Sequence, residues 1–214
     1  KGAKIFFAST VDIYGSTKKS IVTEECKPNP MSDYAKSKLQ AEMILNELSS
    51  SYSFEYVIGR FAPVYAKDFM KDVYKRIYLK YPNLAFLIGN GYNYHFVSVH
   101  NVVDFIINWL EAEKKIVGTF NICDQKLINS KEFIELEKKA GNIKRVIYLP
   151  KHIFGLIKIV LLVFNKFFES KKLNTLYFKV NKLINPERYS LKKMKEIYRP
   201  KWDLKSTVYQ DIED

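Results

Sequence analysis

The sequence predicts an α/β fold built on a parallel sheet, and three stretches near its start carry that expectation. "AKIFFAS" (3–9) is a short apolar run ending in small polar residues, as a buried parallel strand does at the carboxyl edge of its sheet. A polar loop with Pro28 and Pro30 then leads into Tyr34 to Leu48, where Leu39, Met43, Ile44 and Leu48 recur at helical spacing behind the cap candidates Ser32 and Asp33. "SFEYVIGRF" (53–61) is a second apolar run. Strand, helix and strand joined by the default right-handed crossover pair in parallel.

The alternation continues with less regularity. Residues 68–81 read as a helix, 84–89 as a strand, 90–94 as a turn and 95–99 as a strand running into a helix over 101–113 capped by Asn101. A strand at 118–123 precedes a helix over 129–141 with Asn129 or Ser130 as cap and Gly141 as stop. A strand at 144–150, an apolar helix at 153–168, a polar break, a helix at 188–198 and a short last helix after Trp202 complete the reading. The 214 residues are 47% hydrophobic and 27% charged, enough to bury a real core, and contain no internal repeat or low-complexity tract.

The net charge of +12 is spread as lysine pairs and singles, without a block of five like charges, zinc-finger spacing, RNP-type aromatic motif or basic zipper. A solvated lysine-rich surface is expected, and no nucleic-acid partner. Cys26 and Cys123 are the two cysteines, far apart and without metal-ligand spacing, so no metal site is expected and a reducing, cytoplasmic setting fits. The chain opens without an adequate signal-peptide apolar region. The 153–168 stretch is broken by Lys158, Asn165 and Lys166 and falls short of the ~20 residues that span a bilayer. A helix buried on one side is expected there, with a membrane-surface helix as the lesser alternative. None of the eight glycines forms a phosphate-cradling motif.

Candidate chemistry lies at the amino end. Ser9 and Thr10 close the first strand, where α/β sheets place reactive groups. Tyr34 and Lys38 are four apart and share a helix face, so the ammonium could favour the phenolate of a general base. That spacing alone is common on helix surfaces. Its neighbours add weight: "FFASTVDIYG" (6–15) followed by "TEECKPNPMSDYAKSK" (23–38) resembles the active-site half of the extended short-chain dehydrogenase/reductase superfamily, the NAD-dependent sugar epimerases and dehydratases. The strand ending in Ser9-Thr10, the Tyr14-Gly15 pair, Thr23-Glu24-Glu25, Pro30, and Tyr34-x-x-x-Lys38 occur in the family's order. "GRFAPVYA" (59–66), "GNGYNYHFVSVHNVVDFI" and "GTFNIC" are similar to later landmarks.

The resemblance implies a partial Rossmann-like parallel sheet, its carboxyl-terminal strands only, with a smaller α/β substrate-binding lobe. Residues 1–65 would be the remnant of the NAD-binding domain with the active-site helix, and 66–214 the substrate lobe with returning sheet elements. It implies that the glycine-rich turn belongs to a preceding segment, so that this chain is amino-terminally truncated and inactive alone. NAD is the implied cofactor, NADP not being excluded, with Ser9, Tyr34, Lys38, Phe61, Ala62 and Pro63 beside it. Thr10, Tyr34 and Lys38 would be catalytic. Thr10, Tyr94 and Arg188 would bind a nucleotide-sugar substrate, in polysaccharide precursor synthesis, and the full-length protein could form a homodimer. Dehydratases carry Asp-Glu after the catalytic Thr; here Val11 and Asp12 follow, which favours 4-epimerisation. A keto-sugar reductase is the alternative, and a non-catalytic binding or scaffold relative suits the departures at Pro63, Ala66 and Tyr94, the last standing where many members place a phosphate-binding Arg. His95 and His100 are expected as strand and cap residues, not ligands.

Overall fold

The computed structural model describes residues 3–210 apart from 18, 53, 80–82 and 169. Its elements, in order, are β1 (Lys4–Thr10), α1 (Asp33–Ser51), β2 (Glu55–Phe61), β3 (Val64–Tyr65), α2 (Lys71–Tyr74), β4 (Leu84–Ile88), β5 (Asn93–Tyr94), β6 (Val97–Ser98) and α3 (Val99–Glu111). They continue with β7 (Gly118–Ile122), β8 (Ile128–Asn129), α4 (Ser130–Lys139), β9 (Arg145–Leu149), α5 (Lys151–Phe168), α6 (Lys171–Ile184) and α7 (Leu204–Val208).

The main sheet is parallel, in the order β1-β2-β7, and its register aligns Thr10 with Phe61 and Phe61 with Ile122. All three strands therefore end together, and Ala62 extends the edge by donating its N–H to the Ile122 carbonyl at 3.0 Å. Beneath, Phe6 packs against Phe61, Phe105 and Trp109 at 6.0, 6.3 and 5.7 Å between ring centroids. Gly59 makes room for this cluster, since a Cβ there would lie 2.7 Å from the Phe6 ring and 2.9 Å from Ile122. Two-stranded pairs surround the sheet: β3-β6 and β4-β9 are parallel and β5-β8 antiparallel. A second apolar cluster joins Tyr65, Val73, Ile77, Phe96, Phe133 and Leu204.

Several elements differ from the sequence expectation for identifiable reasons. The expected helix at 68–81 survives only as α2, because the chain then turns to pair with β4: Phe86 N–H bonds the Ile77 carbonyl at 2.7 Å and Tyr78 bridges to Ala85. Part of that range, 80–81, lies outside the described residues. Asn93 and Tyr94, expected in a turn, pair with β8, and the expected strand over 95–99 is ordered only as β6. Ser98, not Asn101, caps α3, accepting from His100 N–H at 3.3 Å. Asn101 is buried and bonds Asp124, Trp202 and Tyr198. The helix expected at 188–198 gives way to reciprocal backbone pairing of Val22 with Arg188 and Ser190, leaving only a 3-10 turn at Met194–Glu196. The expected polar break holds α6. Finally, α5 does not bury an apolar side: Leu161 is 7% exposed, but Leu156 is 61% and Phe167 76% exposed.

Candidate functional site

Local chain geometry brings Tyr34 and Lys38 to the strand edge. Thr10 ends β1 with its hydroxyl oxygen accepting from Asp12 N–H at 3.2 Å, which starts a 3-10 turn over Val11–Tyr14. Gly15 follows at φ 67°, and a Cβ there would fall 2.0 Å from the Asn29 carbonyl oxygen. Only glycine lets the loop return this closely, with Asn29 N–H on the Ile13 carbonyl at 2.8 Å. The loop delivers Ser32 as N-cap of α1, accepting from Ala35 N–H at 3.1 Å. Tyr34 sits in the first turn, 56% exposed, and its hydroxyl makes no hydrogen bond among the described residues. One turn on, Lys38 Nζ donates to the Ala8 carbonyl at 2.9 Å and lies 5.1 Å from the Phe7 ring centroid and 6.0 Å from that of Tyr34. The ammonium is thereby tied to the end of β1, two residues before Thr10.

Ser9 points the other way. Its hydroxyl donates to Glu42, which is 2% exposed and takes a forked contact from Arg60: Nη2 at 2.7 Å and Nε at 3.2 Å. Arg60 Nη1 reaches the Tyr14 hydroxyl at 2.9 Å and the Glu24 carbonyl at 3.2 Å, and Tyr14 donates to Asn121 at 2.7 Å. Glu24 accepts Asn121 N–H at 2.8 Å. Burial works to lower the Arg60 pKa, but Glu42 and Tyr14 carry it above the usual value; burial pushes Tyr14 up to about 12. Ser9 and Tyr14, which stand out as motif residues, thus form a buried network under the edge, with the motif residue Glu24 half-buried at its side.

The neighbouring cleft is walled by Pro63, Tyr94, His95, Tyr189, Asp12 and Lys182. Of the three residues expected beside a cofactor, only Pro63 lines this cleft, its carbonyl taken by Val97 N–H at 3.1 Å; Ala62 is buried in the core and Phe61 packs against that core. Tyr94 is buried, and its hydroxyl donates to the Leu183 carbonyl at 2.6 Å. His95 Nδ1 accepts Tyr189 N–H at 3.0 Å, so Nε2, 2.8 Å from the Asp124 carbonyl, carries the proton. Burial lowers the His95 pKa, which keeps the ring neutral. Arg188 has an exposed side chain near His95, its positive charge contributing to that lowering. Lys182 pairs with Asp12, and Lys75 with Asp72 at 2.7 Å. That leaves Arg76, whose guanidinium stacks 5.0 Å from the Tyr94 ring and 5.9 Å from that of Phe96, with a buried Nε lacking any acceptor among the described residues. Sequence reading missed Arg76, Lys182, Glu42 and Arg60. A lone Arg in the apolar run "YVIGRF" was the signal for the buried network; nothing in the sequence singled out Arg76.

Behind the cleft, Asp124 accepts from the Tyr65 hydroxyl at 2.6 Å, Ser98 N–H at 2.8 Å and Asn101 Nδ2 at 2.7 Å. Burial outweighs these donors and pushes its carboxyl up to about 6.

A parallel sheet with a Tyr-x-x-x-Lys helix at its carboxyl edge defines an α/β protein of the short-chain dehydrogenase/reductase kind. The sequence model of the family described as "NAD dependent epimerase/dehydratase family" matches residues 1–123, and the chain belongs to that family. No curated protein sequence matches it. Among solved structures, it is similar to a UDP-glucuronic acid 4-epimerase from Bacillus cereus in complex with NAD, with TM-score 0.64 and 18% identity over 97% of this chain and 60% of that one. It is also similar to RMD from Pseudomonas aeruginosa complexed with NADPH (TM-score 0.63, 16% identity, 96% and 64% covered). A UDP-glucose 4-epimerase gives 0.65 at 16% identity, with 95% and 61% covered. These likenesses establish the shared Rossmann-like fold. The chain spans about three-fifths of the length of these structures.

Proposed function

We propose that this chain carries the catalytic Tyr–Lys pair and the substrate cleft of an NAD-dependent nucleotide-sugar 4-epimerase acting in polysaccharide precursor synthesis. The observation that carries the reading is the pairing of an unbonded, exposed Tyr34 hydroxyl with a Lys38 ammonium tied to Ala8 at the sheet's carboxyl edge.

The residues present fit the nicotinamide end of a dinucleotide. An ammonium has three N–H donors and Lys38 spends one on Ala8, leaving two for ribose hydroxyls. Phe61 and Pro63 are half-buried apolar residues at the strand edge, backed by the buried Ala62, and are suited to a ring face. NAD, when bound, supplies the hydride acceptor. Tyr34 takes the proton from the sugar hydroxyl under oxidation and returns it later. The Thr10 oxygen accepts from Asp12 N–H, so its own O–H remains to orient that hydroxyl. Asp12 is neutralised by Lys182, which leaves no free acid after Thr10 for dehydration. Arg76, rather than the internally bonded Tyr94, offers the charged contact for a sugar diphosphate, and the exposed Arg188 a second. Four of the solved relatives bear on this: three hold NAD, two of them with UDP-glucuronic acid as well, and one holds NADPH.

The test is turnover of UDP-hexoses and UDP-hexuronic acids with NAD by the protein as encoded, including any residues before Lys1. Tyr34→Phe should lower kcat about 10²- to 10⁴-fold with little change in nucleotide-sugar affinity, and Lys38→Met should weaken NAD binding as well. Undiminished turnover in Tyr34→Phe refutes the assignment. Tight nucleotide-sugar binding without turnover in the wild type points to a non-catalytic relative.

A further inference from the structure

An ordinary surface helix turns its apolar stripe toward the protein; α5 turns its stripe away. Ile153, Leu156, Val160, Val163, Phe164 and Phe167 fall within about 100° of one another around a helix of 3.6 residues per turn, and all are exposed. They form a ridge about 20 Å long at 1.5 Å per residue. The inward side is held by Leu161 and by Lys158, whose ammonium lies 5.8 Å from the Tyr177 ring of α6. Continuous exposed apolar ridges of this size mark interaction sites.

Charge identifies the occupant. Residues 151–184 hold seven lysines against one glutamate and no aspartate, so a sixth of the chain carries six of its twelve net positive charges. Lys151, Lys166, Lys172 and Lys179 are exposed. A second copy of this chain would bring these lysines against their own kind, which opposes association. No helix among the described residues is long and apolar enough to cross a membrane. An outward apolar ridge on a lysine-rich helical hairpin is the pattern of a helix that lies in the plane of an anionic bilayer, its ridge among the acyl chains. Packed helices sit about 8–10 Å apart, within roughly a Debye length at physiological salt, so lysines of both helices act on the headgroups.

We propose that the α5–α6 hairpin docks the protein on the surface of membranes containing anionic phospholipid, without spanning them. Because α6 also contributes Lys182 and Leu183 to the cleft wall, docking holds the cleft beside the bilayer. This inference stands apart from the epimerase reading, since it needs neither Tyr34 nor a nucleotide sugar.

The experiment is flotation of the protein as encoded with phosphatidylcholine vesicles and with 3:1 phosphatidylcholine:phosphatidylglycerol vesicles. Flotation with the anionic vesicles at least ten-fold above the neutral ones, falling as salt rises, is expected. Leu156→Glu/Phe167→Glu should abolish it with the thermal melt unchanged, both side chains being exposed. Should that variant not fold, Lys166→Glu/Lys172→Glu should still reduce flotation on anionic vesicles. Protein that stays unbound with both vesicle types overturns the proposal. So does a dimer seen by light scattering that the Leu156/Phe167 variant converts to monomer, which assigns the ridge to a second copy.

Discussion

Replacing Glu42 by Leu should unfold this protein more readily than any substitution at the exposed Tyr34 or Lys38. Glu42 is the acceptor for both Nε and Nη2 of Arg60 and for the Ser9 hydroxyl, in a site where Glu42 is 2% exposed. A leucine leaves the guanidinium with the Tyr14 oxygen and the Glu24 carbonyl as its remaining partners. Removing one partner of a buried ion pair costs about 3–5 kcal/mol, because the other charge stays desolvated. For a chain of this size, each kcal/mol moves Tm by about 2–4 °C, so a drop of roughly 6–20 °C is expected. Replacing both partners by apolar residues of similar volume is far less costly, so Glu42→Leu/Arg60→Met should recover part of the loss despite carrying two changes. Urea unfolding at pH 7 of the wild type, the two single variants and the double variant measures the coupling. A Glu42→Leu loss below about 1 kcal/mol, or strictly additive single effects, refutes the view that this pair supports the strand edge.

Two further outcomes follow from the cleft. If Arg76 holds the diphosphate as proposed, Arg76→Ala should raise KM for a nucleotide sugar about ten-fold or more with kcat nearly unchanged; an equal fall in kcat contradicts that role. Asp124, its carboxyl raised from 3.8 to about 6, binds its proton more tightly in the folded state, so its stabilising share is complete below pH ~4 and is lost as pH rises to ~6. The difference amounts to about 3 kcal/mol, and Asp124→Asn, whose amide can still face Ser98, Asn101 and Tyr65, should flatten the unfolding free energy across that window.

The main sheet was legible because its strands are short apolar runs bounded by polar residues, although burial is deep only in β2 and β7 while Lys4, Ile5 and Ala8 of β1 are exposed. α1 was equally plain from its cap and spacing. The failures share a cause: tertiary partners overrode local preference. Residues 77–79 have helical spacing but pair with β4, and 188–190 leave a helical pattern to bond Val22. The lysines of α6 give it the look of a polar break, although Leu173, Leu176, Tyr177, Val180 and Leu183 repeat every three or four residues. For α5 the periodicity was visible, but spacing states only that a helix has an apolar side, not which way that side faces.

The same distinction separates two kinds of motif residue. Ser9, Tyr14 and Glu24 recur with Tyr34 and Lys38 in the family pattern, yet Ser9 and Tyr14 are buried and Glu24 half-buried about Arg60, while Tyr34 is exposed and Lys38 half-exposed. The sequence pattern alone does not separate the two sets. Burial tells them apart: a side chain whose polar atoms are fully engaged inside can only hold the edge in place. A hydroxyl left unbonded beside an anchored ammonium is free to exchange a proton with something that arrives. Arg60 of β2 bonds Glu42 of α1 and Tyr14 of the 3-10 turn, Ser9 of β1 joins through Glu42 and Asn121 of β7 through Tyr14, and the edge so tied holds Lys38 within one hydrogen bond of the strand and Tyr34 one helical turn away.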